Sequence, residues 1–262
     1  MDVRGTVVVV TGASSGIGAG TAIAFARRGA TVVLVARRLE RLEELADRIE
    51  RGGGRALALR CDVGDAAQLD RLPGIVEEAL GPVDVIVNSA GVPGGGPFLD
   101  LSHERVEEVV RINLLSVLHA TRAFVPGMRR RGRGHVVNVA SIAARFAAPG
   151  TALYSATKHA VVAFSEALNY DTEPEGVLVT SVNPGFVDTE GFPQDHLPSR
   201  LVLPPTRVPE AIVKVVRDGI APEYTVPRWV APLQVFRVVT PPLYRWGMRR
   251  VRGRARPAPP AS

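Results

Sequence analysis

Val7-Val8-Val9-Val10-Thr11-Gly12-Ala13-Ser14-Ser15-Gly16-Ile17-Gly18 is the stretch on which the fold turns. Four consecutive valines are too β-branched and too apolar for a solvated helix, so they predict a strand buried on both faces, as in a parallel sheet. Three glycines then interrupt the apolar pattern, and Ile23 and Phe25 resume it at helical spacing on the way to Arg28. A turn this rich in glycine lets backbone N–H groups approach a diphosphate, and the following helix adds its positive N-terminal end. The spacing Gly-x-x-x-Gly-x-Gly differs from the commoner Gly-x-Gly-x-x-Gly dinucleotide turn, and alone it also suits an ordinary strand-to-helix connection.

Outward from this stretch, buried strands alternate with helices. Thr31 to Val35 is a second β-branched run, closed by Ala36-Arg37-Arg38, and Leu39 to Arg51 carries Leu42, Leu45 and Ile49 on one helical face. Ala56 to Arg60 predicts a third strand, leading into Cys61-Asp62-Val63 and a helix from Asp65 to Leu80 that Pro73 kinks or splits. Val83 to Asn88 predicts a fourth, followed by Ser89-Ala90-Gly91, a glycine-rich loop from Val92 to Pro97 and a long helical region from about His103 to Met128. Strands at Val136 to Ala140 and Val177 to Asn183 flank a helix from Ala152 to Tyr170. The expected fold is α/β: a doubly wound, Rossmann-type parallel sheet of about seven strands with helices on both faces, in a single domain over residues 1–226. Gly185 to Val208, with four prolines, reads as a loop or lid, and a helix from Pro209 to Gly219 and a strand at Tyr224 to Val226 close the domain.

Composition narrows the function. The 262 residues are 46% hydrophobic, which excludes a wholly disordered chain. The net charge of +6 is confined to one end: residues 227–262 hold eight arginines and no acid, leaving 24 basic against 26 acidic residues in the rest. The body is therefore nearly neutral, and no nucleic-acid partner is expected. Cys61 is the single cysteine, so neither an intrachain disulfide nor a thiolate metal site can form. The five histidines lack ligand spacing, and no metal is expected. No apolar run reaches the length of a membrane span and no signal peptide is expected ahead of the first strand, which together predict a cytoplasmic protein.

By the fifth strand the landmarks become specific. Thr11-Gly12-x-x-x-Gly16-x-Gly18, Asn88-Ser89-Ala90-Gly91, Asn113, Ser141, Tyr154-x-x-x-Lys158 and Asn183-Pro184-Gly185 occur in the order in which the short-chain dehydrogenase/reductase family carries them. The chain resembles that family from residue 5 to about residue 226.

The chemistry has an independent argument. Tyr154 and Lys158 stand four apart in a predicted helix and project from one face. A phenol ionises near pH ~10, and a neighbouring ammonium is expected to lower that value toward neutrality, making an acid/base catalyst. Ser141, at the carboxyl end of a predicted strand, can hold a carbonyl oxygen against the phenol. The resemblance implies that Tyr154 protonates the carbonyl oxygen, that Ser141 stabilises it, that Lys158 contacts the nicotinamide ribose, and that Asn113 holds a water behind the lysine. It also implies that Gly12, Ser14, Ser15, Gly16, Ile17 and Gly18 seat the cofactor diphosphate. Asp62 and Val63 then border the adenine, Asn88, Ala90 and Gly91 pass behind the cofactor, and Pro184, Gly185, Val187 and Thr189 lie near the nicotinamide.

NAD-binding members place an acid at the end of the second strand, where this chain has Ala36 followed by Arg37 and Arg38. Guanidinium groups bind a 2′-phosphate that a carboxylate would repel, so the cofactor is expected to be NADP(H), with Arg37 the main contact. Walls from Ile142 to Pro149, from Val92 to Pro97, and from Phe186, Phe192, Leu197, Leu201 and Leu203 predict a lipophilic ketone, aldehyde or alcohol as substrate. Arg145 is the one charged candidate there, and a loop arginine is usually solvated.

Beyond Pro227 the chain leaves the family pattern. Trp229, Val230, Leu233, Phe236, Val238, Val239, Leu243, Tyr244 and Trp246 alternate with arginines before an Arg/Pro-rich end. One reading is a helix pair on an anionic membrane surface; the other is a helix covering the substrate pocket or a subunit contact, then a disordered tail. The resemblance further implies a homodimer or homotetramer. Two function classes fit the whole: an NADP(H)-dependent oxidoreductase, with an NAD-dependent alcohol dehydrogenase as its variant, and a nucleotide-binding regulatory protein without turnover. The complete Asn113, Ser141, Tyr154 and Lys158 set favours the first.

Overall fold

The valine run forms strand β1 (Val7–Thr11), buried throughout. Its alternation divides it between two cores: Val8 and Val10 pack on the side of Phe25 and Ile212, Val7 and Val9 on the side of Leu69 and Phe124. The structure, a computed structural model, describes residues 1–94, 96–194 and 197–245.

From β1 the chain passes through α1 (Gly16–Ala26), β2 (Thr31–Ala36), α2 (Leu39–Arg51), β3 (Arg55–Arg60), α3 (Ala66–Leu80) and β4 (Val85–Asn88). It continues through α4 (His103–Val110), α5 (Ser116–Arg130), β5 (Gly134–Val139), α6 (Ala152–Thr172) and β6 (Val177–Pro184). Two short strands, β7 (Phe186–Val187) and β8 (Val202–Leu203), precede α7 (Arg207–Asp218), β9 (Glu223–Val226) and α8 (Leu233–Val239). The seven longer strands form one sheet in the order β3-β2-β1-β4-β5-β6-β9, with every neighbouring pair parallel. This is the expected Rossmann-type architecture, with α1, α2 and α7 against one core and α3 and α5 against the other. The strand order reverses between β1 and β4, so the glycine turn after β1 lies beside the crevice where open α/β sheets take ligands.

Three local expectations change. The long helix from His103 is two helices joined by a π-helical turn, Arg111–Leu115, closed by a bond from the Ser116 N–H to the Arg111 carbonyl. Asn113 sits in that turn rather than in a regular helix, a kind of irregularity that recurs at functional sites. Helix α3 runs unbroken through Pro73; the ring removes one donor, while Leu69, Leu72 and Val76 keep the apolar face buried. The expected lid is not structureless, since β7 pairs with β8 and Thr189 bridges Phe192.

After Val226 come a 3-10 turn (Arg228–Val230), α8 and a helical stretch at 241–245. Trp246 and the Arg/Pro-rich end read as a disordered tail lie outside the described residues. No helix among the described residues is long and apolar enough to cross a membrane.

Candidate active site

At the carboxyl edge of the sheet the glycine turn is built by close approach. Gly12 has φ +67°, and a Cβ on it would lie 2.8 Å from the Ala90 backbone. The Thr11 hydroxyl accepts from the Ser89 N–H at 3.1 Å and the Ala90 N–H at 3.3 Å, tying the loop after β4 to the turn. On Gly18 a Cβ would stand 2.3 Å from the Gly12 carbonyl oxygen, so any side chain would push the head of α1 off the turn.

This cradle floors a groove of about 370 Å³ that Ser14, Ser15, Gly16 and Ile17 also line. Its far end holds Ala36, Arg37 and Arg38, and Asp62, Val63, Ala90 and Gly91 form the sides. Arg38 reaches across to Glu190 at 2.8 Å and donates to Ser14 Oγ at 3.0 Å. Arg41 bonds the other oxygen of Glu190 at 2.5 Å. Arg37 is exposed and, among the described residues, makes no hydrogen bond or ion pair. Cys61 also lines the groove; burial, with Asp62 and Asp65 nearby, pushes its thiol up to about 11, so it stays protonated at neutral pH.

A second cavity, of about 430 Å³, adjoins the groove through Ile17, Ser89, Gly91, Thr189 and Phe192. Ser141, Tyr154 and Lys158 all face it. Ser141, just past β5, accepts from the Ala143 N–H at 3.1 Å, which orients its hydroxyl at the start of a 3-10 turn. Tyr154 and Lys158 occupy successive turns of α6, and the Lys158 Nζ donates to the Val139 carbonyl at 2.9 Å, 5.7 Å from the tyrosine ring centre. Phe192 covers the other side of Tyr154, ring centres 5.8 Å apart.

The electrostatics correct one expectation. Burial pushes the Tyr154 phenol up to about 12, although a hydrogen bond with Ser141 pulls the other way, and burial lowers Lys158 to about 8. Desolvation thus dominates: the phenol of the ligand-free chain is held as a protonated acid rather than brought toward neutrality.

Pro184, Gly185, Val187 and Thr189 line the same cavity. Asn88 and Asn113 line neither space. Asn88 is buried and donates to Asn138 Oδ1 at 2.8 Å, linking β4 to β5, so it shapes the crevice from behind. The Asn113 amide pairs with both the N–H and the C=O of Val92, each at 2.8 Å, and so clamps the loop beside Gly91.

The walls also differ in part. Ile142, Phe146, Ala148, Phe186 and Phe192 face the cavity as expected. Leu197, Leu201 and Leu203 do not, and Val92 faces the groove instead. Gly94 sits where a Cβ would be 2.7 Å from the Tyr154 Cβ, so the glycine loop backs the tyrosine rather than walling the substrate space. Arg145 is half-buried and paired rather than freely solvated: it bonds Glu223 of β9, which leaves the cavity walls largely apolar.

A family profile described as short chain dehydrogenase matches residues 6–196. The chain belongs to the short-chain dehydrogenase family. This is an oxidoreductase family whose fold binds a nicotinamide dinucleotide. Among curated short-chain dehydrogenase relatives, the uncharacterized oxidoreductase Rv1543 of Mycobacterium tuberculosis is 36% identical over 259 residues, 97% of this chain and 74% of that protein. Glycine betaine reductase ATRR of Emericella nidulans is 42% identical over 186 residues; the match takes in 71% of this chain but spans only 15% of that relative's length. The chain is similar to a variant of actinorhodin polyketide ketoreductase solved with NADPH, with a TM-score of 0.79 and 31% identity over 84% of this chain and 95% of that one. It is also similar to a short-chain dehydrogenase/reductase from Burkholderia phymatum solved with NAD, with a TM-score of 0.82 and 26% identity over 100% and 99%.

Sequence reasoning missed several residues of this short-chain dehydrogenase site. Thr11 was visible only as part of a spacing. Glu190, one of three acids in a proline-rich loop, gave no signal, since its partners Arg38 and Arg41 lie 152 and 149 positions away. Glu223 likewise gains meaning only when β9 joins β6 and brings it to Asn183 at 2.6 Å and to Arg145.

Proposed function

We propose that this short-chain dehydrogenase is an NADP(H)-dependent reductase that interconverts a lipophilic ketone or aldehyde and its alcohol. The observation that carries the proposal is the convergence of Ser141, Tyr154 and Lys158 on an apolar cavity that opens into the glycine-turn groove. The groove fits a dinucleotide: the backbone at Gly12 and Gly18 leaves no room for a Cβ, so diphosphate oxygens can approach the N–H groups at the head of α1. When bound, the nicotinamide supplies or accepts the hydride. Tyr154, protonated at neutral pH, gives its proton to the carbonyl oxygen of the substrate. Ser141 Oγ, held by the Ala143 N–H, donates to the same oxygen. Lys158, fixed one turn along α6, stabilises the phenolate left behind, and Asn113 keeps the Val92 loop in register behind them.

NADP(H) is favoured by Ala36 standing at the end of β2, where an acid would repel a 2′-phosphate, and by Arg37, whose guanidinium has no protein partner among the described residues and is free to receive that phosphate. The ketoreductase similar in structure was solved with NADPH, which agrees with this choice. The lipophilic substrate follows from Ile142, Phe146, Phe186 and Phe192 in the cavity and from Arg145 being neutralised by Glu223.

The test is Tyr154→Phe, with an apolar carbonyl panel, NADPH absorbance and NADPH titration as readouts. Carbonyl reduction is expected to fall by roughly 10²–10⁴-fold, the usual worth of a positioned acid, while NADPH affinity holds within about 2-fold. Turnover retained in the variant would refute the assignment.

A further inference from the structure

Among the described side chains of α8, Arg237 faces the protein: it donates to the Arg145 carbonyl and lies 3.1 Å from His159 Nε2, with its guanidinium over the Tyr244 ring. The helical residues that follow are anchored too, since Tyr244 donates to the Ala147 carbonyl at 3.3 Å and its ring meets Phe146 at 6.4 Å. The solvent side carries Val235, Val238 and Val239, spaced i, i+3, i+4 along one face and 62%, 76% and 69% exposed. Trp229 at 66% and Leu243 at 50% flank this stripe. A scattered valine on a surface needs no explanation, but three exposed valines on one side of a docked helix, with exposed Trp229 and Leu243 before and after it in the chain, are an apolar stripe that asks for a covering surface.

Charge tells what covers the patch. Residues 227–262 contain eight arginines and no Asp or Glu, five of them (Arg249, Arg250, Arg252, Arg254, Arg256) closely following the stripe together with Trp246, Met248 and Val251. Apolar residues next to arginines with no acidic counter-charge match the interface of an anionic bilayer, where side chains of the first kind enter the acyl boundary and the second meet headgroup phosphates. A second copy of this chain would bring the same eight positive charges against themselves, which argues against it as the occupant.

We propose that the C-terminal extension docks this enzyme on a lipid surface through the Val235, Val238, Val239 stripe, with the uncompensated positive charge of residues 227–262 selecting anionic lipid. The clasp on residues 145–147 sets the consequence for the site. Phe146 and Ala148 belong to the wall of the catalytic cavity, so docking through α8 brings the segment that forms the cavity wall to the lipid surface.

The experiment is co-sedimentation of the full-length protein with vesicles of phosphatidylcholine alone or of phosphatidylcholine and phosphatidylglycerol, at low and high salt. Expected is binding to the anionic vesicles that falls as salt rises, with at least tenfold less on phosphatidylcholine. The variant Val235→Ser/Val238→Ser/Val239→Ser, all three exposed, is expected to keep its circular dichroism and NADPH binding and to lose at least tenfold in vesicle affinity. The variant Arg249→Glu/Arg250→Glu/Arg252→Glu/Arg254→Glu should lose the anionic preference. Wild-type protein that stays in the supernatant with anionic vesicles would overturn the proposal. So would a serine variant that binds vesicles as well as wild type but drops to a smaller assembly by light scattering, since the stripe would then belong to a contact between copies.

Discussion

Burial holds Tyr154 in its acid form, and this can be tested without knowing the substrate. The phenol, enclosed between Phe192 and α6, is pushed up to about 12 from an ordinary value near 10, worth about 3 kcal/mol in favour of the neutral form. Lys158, lowered to about 8, still carries its charge at neutral pH and sheds it only as the pH rises past that value. The sign follows from desolvation, which penalises the charged form of each group: up for the acid, down for the base. At pH ~9 a phenol of that kind is ionised to about 0.1%, against about 10% for an ordinary tyrosine and nearly all for one brought to neutrality. Difference ultraviolet absorbance between the cofactor-free wild type and Tyr154→Phe isolates this group, because Tyr170, Tyr224 and Tyr244 are common to both. The expected difference is flat from about pH 6 to about pH 10. A Tyr154-specific step with a midpoint below about pH 9 would refute the desolvation argument. The matching kinetic expectation is directional: carbonyl reduction draws on the abundant neutral phenol and stays level with pH, whereas alcohol oxidation needs the scarce phenolate and climbs about tenfold per unit.

Two further outcomes follow from the groove. Gly18→Ala places a Cβ 2.3 Å from the Gly12 carbonyl, so the turn must open by about 1 Å, at a cost of roughly 1–3 kcal/mol. The thermal midpoint should drop by roughly 3–10 °C and NADPH affinity by at least tenfold; a variant matching wild type in both would show that the turn is looser than its contacts indicate. Arg37→Glu removes a charge-assisted partner and adds a repulsive one, so the ratio of NADPH to NADH affinity, measured by calorimetric titration, should fall by roughly 10–100-fold. An unchanged ratio would take the 2′-phosphate away from Arg37.

What could be read in advance, and what could not, separates by the range of the forces involved. The buried strands declared themselves because a Val-rich run exposed to neither face is a local property, and β1, β2, β5 and β6 lie within two residues of their expected bounds. Tyr154 and Lys158 were legible because helical spacing alone puts them on one side of α6. Asn113 was recognised as a site residue without its means: the π-helical turn that carries it and the Val92 backbone that binds its amide belong to different elements, 21 positions apart. The same holds more strongly for Glu190, Glu223 and Arg237, whose bonds to Arg38, Asn183 and the Arg145 carbonyl span 152, 40 and 92 positions. The phenol shows the further step. A tyrosine and a lysine four apart suggest an attraction, and that much is written in their spacing; the competing effect is the loss of water around Tyr154, which depends on Phe192 arriving from the far loop and on Gly94 closing behind. Pairwise charge can be read along a helix, but the dielectric in which it acts is assembled by the whole fold, and here it decides that the catalytic group waits as an acid.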